Sequence, residues 1–419
     1  MRGNKGNLQE KTHAVYSRKT ASSYGILNAG LGKFEASAVL PANTQLVPQM
    51  TQGASPLDDC GPKHFYNTVV RDSSDNGSGR QERVLDLFIQ SSLLVRPSMD
   101  AKSVSFVVNP PQEDFEQCVE LVCNYENWKL ASGDYNVFLR AFPNNFWLTV
   151  AKDKEKVVGL TMVSTMSTLK ENGEISTFSG FFVHPDYRGY GIGSSLFRMA
   201  LDSKLKAGKN VNLNALNEKT SWYVSRGIKH FAPTPNTTFT VETGDIRPLR
   251  VRKRLDASLN TLENLKIVPV EDVRDQALVD YDKSVVPVDR STYIPAWLRR
   301  SDAFTRVSVS PEGEVRGFAC LRSISRNRLL YSPIFAKNER IAEALVLATI
   351  DAVPHLGKFT DVVFVASGEN LAIENVIERL VEGGRFHKKS HVHRMFSAKV
   401  LTSDHSQIFA FTSYGSCCV

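Results

Sequence analysis

A chain of 419 residues exceeds an ordinary single domain, and an apolar share of 42% is enough to bury real cores. The formal net charge of +7 suits a small anionic ligand but is too mild to argue for nucleic acid, and neither zinc-finger spacing nor an aromatic–basic signature accompanies it. No apolar run nears the roughly 20 residues of a membrane span; the longest, residues 341–353, is interrupted by Glu343 and Asp351. Residues 1–100 scatter Gly, Ser, Asn and Pro without sustained periodicity and read as a largely disordered extension. Within it, Val84, Leu85, Leu87, Phe88, Leu93 and Leu94 predict a short docking helix over residues 82–95.

From residue 103 the pattern changes. Residues 104–108 predict a strand, and 115–125 and 135–142 carry apolar residues at helical spacing. Residues 146–151, 157–164 and 175–183 predict three strands, the last two joined by a turn at Glu171-Asn172-Gly173-Glu174. A helix over 194–206, a strand over 211–215 and a short helix over 220–226, ended by Gly227, follow. Residues 243–264 lack a core pattern and read as a linker, whose basic run at 247–254 fits either a solvated face or a nuclear import signal. From residue 265 the order of elements repeats: strands at 267–270, 306–310, 315–321 and 329–332, a helix at 339–352, a strand at 361–366, a helix at 372–381 and a strand at 407–412. The repeated order predicts two consecutive domains of one type, over residues 103–242 and 265–419.

Six cysteines, Cys60, Cys118, Cys123, Cys320, Cys417 and Cys418, have spacings that fit neither a metal site nor a disulfide framework. No metal is expected, and reduced thiols point to a cytoplasmic setting. The mildly basic amino terminus and the run at 247–254 leave mitochondrial and nuclear alternatives open.

The strongest local signal is Arg188-Gly189-Tyr190-Gly191-Ile192-Gly193, which follows an apolar strand and opens an amphipathic helix. Glycines at 191 and 193 let a ligand approach the backbone, and the free amides at a helix start converge on an anion. A Walker loop is excluded because Gly193 is followed by Ser194-Ser195 with no lysine. The glycines at 189, 191 and 193 also lack the Gly-x-Gly-x-x-Gly spacing of a dinucleotide fingerprint.

The segment from Val183 through His184-Pro185-Asp186-Tyr187 and the loop to Leu196 resembles the signature of the GNAT acetyltransferase superfamily, an Arg or Gln, two residues, Gly, one residue, then Gly or Ala. The resemblance covers residues 104–242. A narrower one, through Asn127 to Asp134, Tyr223 with Gly227, Tyr281-Asp282-Lys283, Asp289-Arg290, His393 to Phe396 and Ile408 to Phe411, is to the YitH-type tandem GNAT group. The implied fold class is α/β (α+β): tandem GNAT-like domains, each a mixed, mostly antiparallel sheet flanked by helices, with a largely disordered N-terminal extension. The implied activity is transfer of an acyl group from acetyl-CoA, a co-substrate, to a primary amine, with neither nucleic acid nor membrane as partner.

By that resemblance the backbone of Phe182 and Val183 and the loop Arg188, Gly189, Tyr190, Gly191, Ile192, Gly193 and Ser194 hold acetyl-CoA, and Asn217 contacts it near the end of the fifth strand. Tyr223, four residues before Gly227, corresponds to a tyrosine aimed at the CoA sulfur; aromatic packing is the alternative. Glu174 begins the strand where some members keep a catalytic glutamate; a turn carboxylate is the alternative. Asp134 reads either as a ligand for the acceptor amine or as a helix N-cap. With no cysteine in these motifs, direct attack in a ternary complex is expected. The corresponding second loop, residues 335–342, contains no glycine and places Glu339 where phosphate would lie. The second half is therefore expected to pack on the first and close its acceptor site, with Arg290, Tyr293 and Trp297 lining that site or simply packing. The alternative function is a non-catalytic acyl-CoA-binding or regulatory protein.

Overall fold

Apolar alternation in the first half produces four strands that pair antiparallel in succession: β1 (Val104–Val108), β2 (Phe146–Asp153), β3 (Lys156–Ser167) and β4 (Glu174–Val183). The interior of β3 is buried without a break, so both its faces are covered. Helices α1 (Gln112–Glu126) and α2 (Asp134–Ala141) cover one face and α3 (Ile192–Lys206) the other. After α3 the chain returns as β5 (Asn210–Leu216), parallel to β4, as a crossover helix permits. The computed structural model describes residues 104–170, 172–262 and 264–412. The expected extension over residues 1–100, its helix at 82–95 and the Cys417-Cys418 pair lie outside them.

Beyond β5 come α4 (Thr220–Val224), β6 (His230–Phe231), β7 (Asn236–Glu242) and α5 (Pro248–Thr261). The second half repeats the plan with β8 (Lys266–Pro269), α6 (Asp275–Val285), α7 (Tyr293–Leu298), β9 (Ala303–Val309), β10 (Val315–Ile324), β11 (Arg328–Ala336), α8 (Glu339–Asp351), β12 (Asp361–Ser367), α9 (Ala372–Val381), β13 (Phe386–Phe396) and β14 (Ile408–Ala410). The sheet is mixed and mostly antiparallel; β4 with β5 and β11 with β12 are its parallel neighbours.

The two halves share one sheet, in the order β1-β2-β3-β4-β5-β13-β7-β12-β11-β10-β9-β8. At its centre the halves exchange strands. Strand β13 of the second half pairs with β5, and β7 of the first half pairs with β12. Each half satisfies the open edge beside its own parallel pair with the other's strand, which hides main-chain donors and acceptors that would otherwise lie at an edge.

The side-chain core is equally shared. Phe138 of α2 stacks on Trp297 of α7 at a centroid distance of 5.7 Å, and Phe142 stacks on Tyr293 at 5.3 Å. Trp297, Tyr293 and Arg290 are fully buried. The Trp297 indole donates to the Ser332 carbonyl at 2.7 Å, and Arg290 Nε donates to Asp282 Oδ2 at 3.0 Å. These three side chains are core, not the lining of an acceptor site. Residues 243–264 also differ from expectation, because α5 occupies most of them. Pro248 opens that helix, where a missing N–H is harmless. Val251 and Leu255 are buried against α8. Its basic run is mostly exposed, as a solvated face would be, and makes ion pairs there: Arg254 pairs with Glu343 at 2.8 Å and Glu382 at 3.0 Å, and Arg252 pairs with Asp351.

Candidate active site

Strands β4 and β5 pair only from Ile175–Asn210 to Phe178–Leu213, then part. At the same level the register of β3 against β4 slips between Leu160–Phe182 and Met162–Ser179, which places a bulge at Gly180 and Phe181. A bulge frees ladder amides and bends the strand. Gly180 has φ +60°, a left-handed conformation that favours glycine, and a Cβ there would also push aside the end of the Met162 side chain, 2.5 Å away.

The loop that follows caps the split. His184 is buried; its Nδ1 accepts from the Asp186 amide at 3.2 Å and its Nε2 meets the Tyr125 hydroxyl at 2.7 Å. An accepting Nδ1 fixes the proton on Nε2, so the ring donates to Tyr125. Burial holds its pKa below the ordinary value, with nearby Lys156 adding to the effect. Arg188 Nε donates to the Val183 carbonyl at 2.8 Å, its guanidinium lies over Phe182, and Glu126 pairs with it at 3.4 Å. Gly191 is the N-cap of α3 at φ +78°, and a Cβ there would meet nothing within 4 Å. No side chain caps this helix and its first turn is free of acidic residues. The amides of Ile192, Gly193 and Ser194 and the helix dipole therefore make an anion site beside the open strand end. The residues present fit a pyrophosphate with an extended arm along β4.

Tyr223 of α4 is buried under this split, edge-on to Phe178 at 6.4 Å and to Trp222 at 5.0 Å. Burial pushes its pKa up, so the hydroxyl keeps its proton at neutral pH. Asn217 is exposed just past the end of β5, in the turn that precedes α4. The structure thus brings Phe182, Val183, the loop from Arg188 to Ser194, Asn217 and Tyr223 to one end of the split.

Two expected residues are engaged otherwise. Glu174 stands at the closed end of β4, about 30 Å from Val183 by strand rise, where it pairs with Lys209 at 3.6 Å. Asp134 is fully buried, with Oδ1 accepting from Arg300 Nη1 and Arg322 Nη1, each at 2.8 Å, and Oδ2 accepting from the Ala131 amide at 3.1 Å. Trp297 lies against both guanidiniums. Neither an acceptor amine nor a helix cap is the partner of this carboxylate; it ties the two halves together.

The sequence places Gly180 at the start of the backbone segment for the extended arm, but the bulge that a glycine inside a strand signals was not read from it. Sequence reasoning passed over Lys129, whose pKa burial, with Arg328 nearby, pushes down to about 8; no local pattern carries that information.

In the second half the corresponding split is filled by the chain itself. Strands β11 and β12 pair only at Leu329–Val362 and Leu330–Val363. Into the gap runs β14, pairing with β11 at Ile334–Ala410 and Phe335–Ile408, while the Phe411 amide donates to the Val365 carbonyl at 2.8 Å. The start of α8 is closed as well: Asn338 Oδ1 accepts from the Ile341 amide at 3.0 Å, and Glu339 pairs with Arg379 at 2.6 Å.

The model of the acetyltransferase (GNAT) domain family matches residues 278–410, the half whose split is filled. Residues 101–285, which hold the glycine loop, match a family described as a protein of unknown function, DUF1248. No curated protein matches the chain. Among solved structures, a candidate acetyltransferase from Pyrococcus horikoshii is 16% identical with a TM-score of 0.53, over 74% of this chain and 96% of that one. A tandem GNAT protein from the clavulanic acid biosynthesis pathway is 17% identical with a TM-score of 0.50, over 70% of this chain and 97% of that one. At such identities the likeness is one of fold, and it spans both halves. The chain has the tandem GNAT fold, and its residues 278–410 are similar to the GNAT acetyltransferase domain family.

Proposed function

We propose that this chain is an acetyl-CoA-dependent N-acyltransferase with one CoA site, in its first half, and that it acylates a primary amine by direct attack in a ternary complex. The observation that carries the reading is the uncapped, glycine-lined start of α3 beside the bulged, parted end of β4. The loop from Arg188 to Ser194 holds the pyrophosphate, and the backbone of Phe182 and Val183 holds the extended arm. The thioester arrives activated, so holding a neutral amine beside it supplies much of the rate. Ladder amides freed at Gly180 and Phe181 are placed to donate to the carbonyl oxygen as it gains charge. Tyr223 keeps its proton and donates it to the leaving thiolate. The filled second split supports a single site per chain. We further infer the YitH-type tandem group as the subgroup and the cytoplasm as the compartment; the described free cysteines, Cys118, Cys123 and Cys320, are all buried.

A second reading has a specific observation behind it. Glu174 stands at the far end of β4 and Asp134 is committed to Arg300 and Arg322, which leaves neither expected carboxylate to serve as base or amine ligand. A non-catalytic acyl-CoA-binding protein would look the same. Free-thiol release from acetyl-CoA across a panel of primary amines separates the readings. Amine-dependent release is expected; tight acetyl-CoA binding with no release on any amine favours the binding protein.

A further inference from the structure

Strand register places a polar row where a core row would be expected. Phe146, Ser164, Thr177, Asn212 and Phe396 stand opposite one another across β2, β3, β4, β5 and β13. The flanking Phe146 and Phe396 belong to the core shared with α1 and α2, so alternation points the whole row to the face opposite α3. Ser164 and Asn212 are fully buried, and Ser164 Oγ and both amide atoms of Asn212, Oδ1 and Nδ2, have no hydrogen-bond partner among the described residues.

Buried amides and hydroxyls are nearly always paired, and an orphaned one costs its desolvation. An apolar residue would serve a purely structural row better. This row lies at the root of the split: β4 and β5 part immediately above Phe178–Leu213, one residue beyond Thr177 and Asn212. It therefore sits under the position where the thioester reaches through the sheet. The second half contributes Phe396 to the row through the exchanged strand, so both halves build it.

We propose that Asn212, with Ser164, positions the acceptor, and that the acceptor is a small primary amine with a neutral oxygen next to the amino group, an amino alcohol or amino amide. This rests on the transferase reading. Asn212 Oδ1 accepts one N–H of the amine and leaves its lone pair aimed at the acyl carbon. Asn212 Nδ2 donates to the neighbouring oxygen, and Ser164, two strands away in the row, adds a hydroxyl to the same polar face. The lone pair forms the C–N bond, the C–S bond breaks with its electron pair to sulfur, Tyr223 protonates that sulfur, and the proton lost by nitrogen replaces the one Tyr223 gave. The products are an N-acyl amine and CoA thiol.

The test uses the full chain, acetyl-CoA, and two probes of similar size, 2-aminoethanol and propylamine, read by thiol release. Wild type is expected to favour 2-aminoethanol by about 10-fold or more in kcat/KM, since a site built to hydrogen-bond an oxygen rejects the analogue without it. Asn212→Leu should erase the preference while calorimetric affinity for acetyl-CoA stays unchanged. Ser164→Ala, a milder change that removes only an orphaned hydroxyl, should reduce the preference at unchanged thermal stability. No preference in wild type, a preference that survives both variants, or turnover of other amines but neither probe overturns the proposal and leaves the transferase reading intact. Acetyl-CoA binding with no turnover of any amine sinks the transferase reading and this proposal with it.

Discussion

Asp134 holds a buried junction between the halves; without it Arg322 loses its buried carboxylate partner, while Arg300 keeps only Asp302. Asp134→Ala is predicted to cost about 3–5 kcal/mol, measured by urea unfolding; a loss within experimental scatter would contradict the assignment. Tyr223 makes the opposite prediction. Tyr223→Phe keeps the ring among Phe178 and Trp222 and removes only the acid, so kcat should fall about 10- to 100-fold at unchanged acetyl-CoA affinity. A normal kcat would make the residue packing alone. The glycine loop was legible in the sequence because φ +78° at Gly191 and an uncapped helix start are local requirements. The junction was not, because Arg300 and Arg322 lie 166 and 188 positions from Asp134.

Among the elements, the paired β14 and the turn before it carry a pH-sensitive contact. His405 is buried, its Nε2 meets Arg394 Nη2 at 3.0 Å and Glu369 at 3.6 Å, and Asp404 is its sequence neighbour. Burial, with the Arg394 charge added, lowers its pKa to about 4. The folded chain thus resists a proton that the unfolded chain accepts near 6.5. The unfolded state binds more protons between those values, so this contribution is present above pH 6.5 and is lost as pH falls toward 4. His405→Gln should flatten the unfolding free energy against pH across that window; an unchanged slope would place the titration elsewhere. Elements with strong periodicity, such as α1, α3, α8 and α9, were readable from the sequence. Helix α5 was not, because only Val251 and Leu255 of its turns are well buried among four Arg and Lys residues. Strand β13 was hidden by the polar run His387-Lys388-Lys389-Ser390, which is exposed.

At the scale of the whole molecule, the repeated element order in the sequence correctly announces the tandem fold but is silent about the exchange of β7 and β13. That exchange makes the halves interdependent. Residues 101–242 produced alone would expose the β5 edge that β13 covers and leave β7 without β12. The fragment is predicted to lack a cooperative unfolding transition by circular dichroism; a sharp transition would show that the first half needs no partner strand. The contrast between the two splits is likewise a tertiary property. The absence of glycine at residues 335–342 hints at it, whereas occupation by β14 follows only from the fold. Calorimetric titration of CoA into the full chain measures this contrast directly. One site per chain is predicted, abolished by Gly191→Asp, which puts a carboxylate into the anion site at a position whose added side chain meets nothing. Two sites, or wild-type affinity in the Gly191→Asp chain, would contradict it.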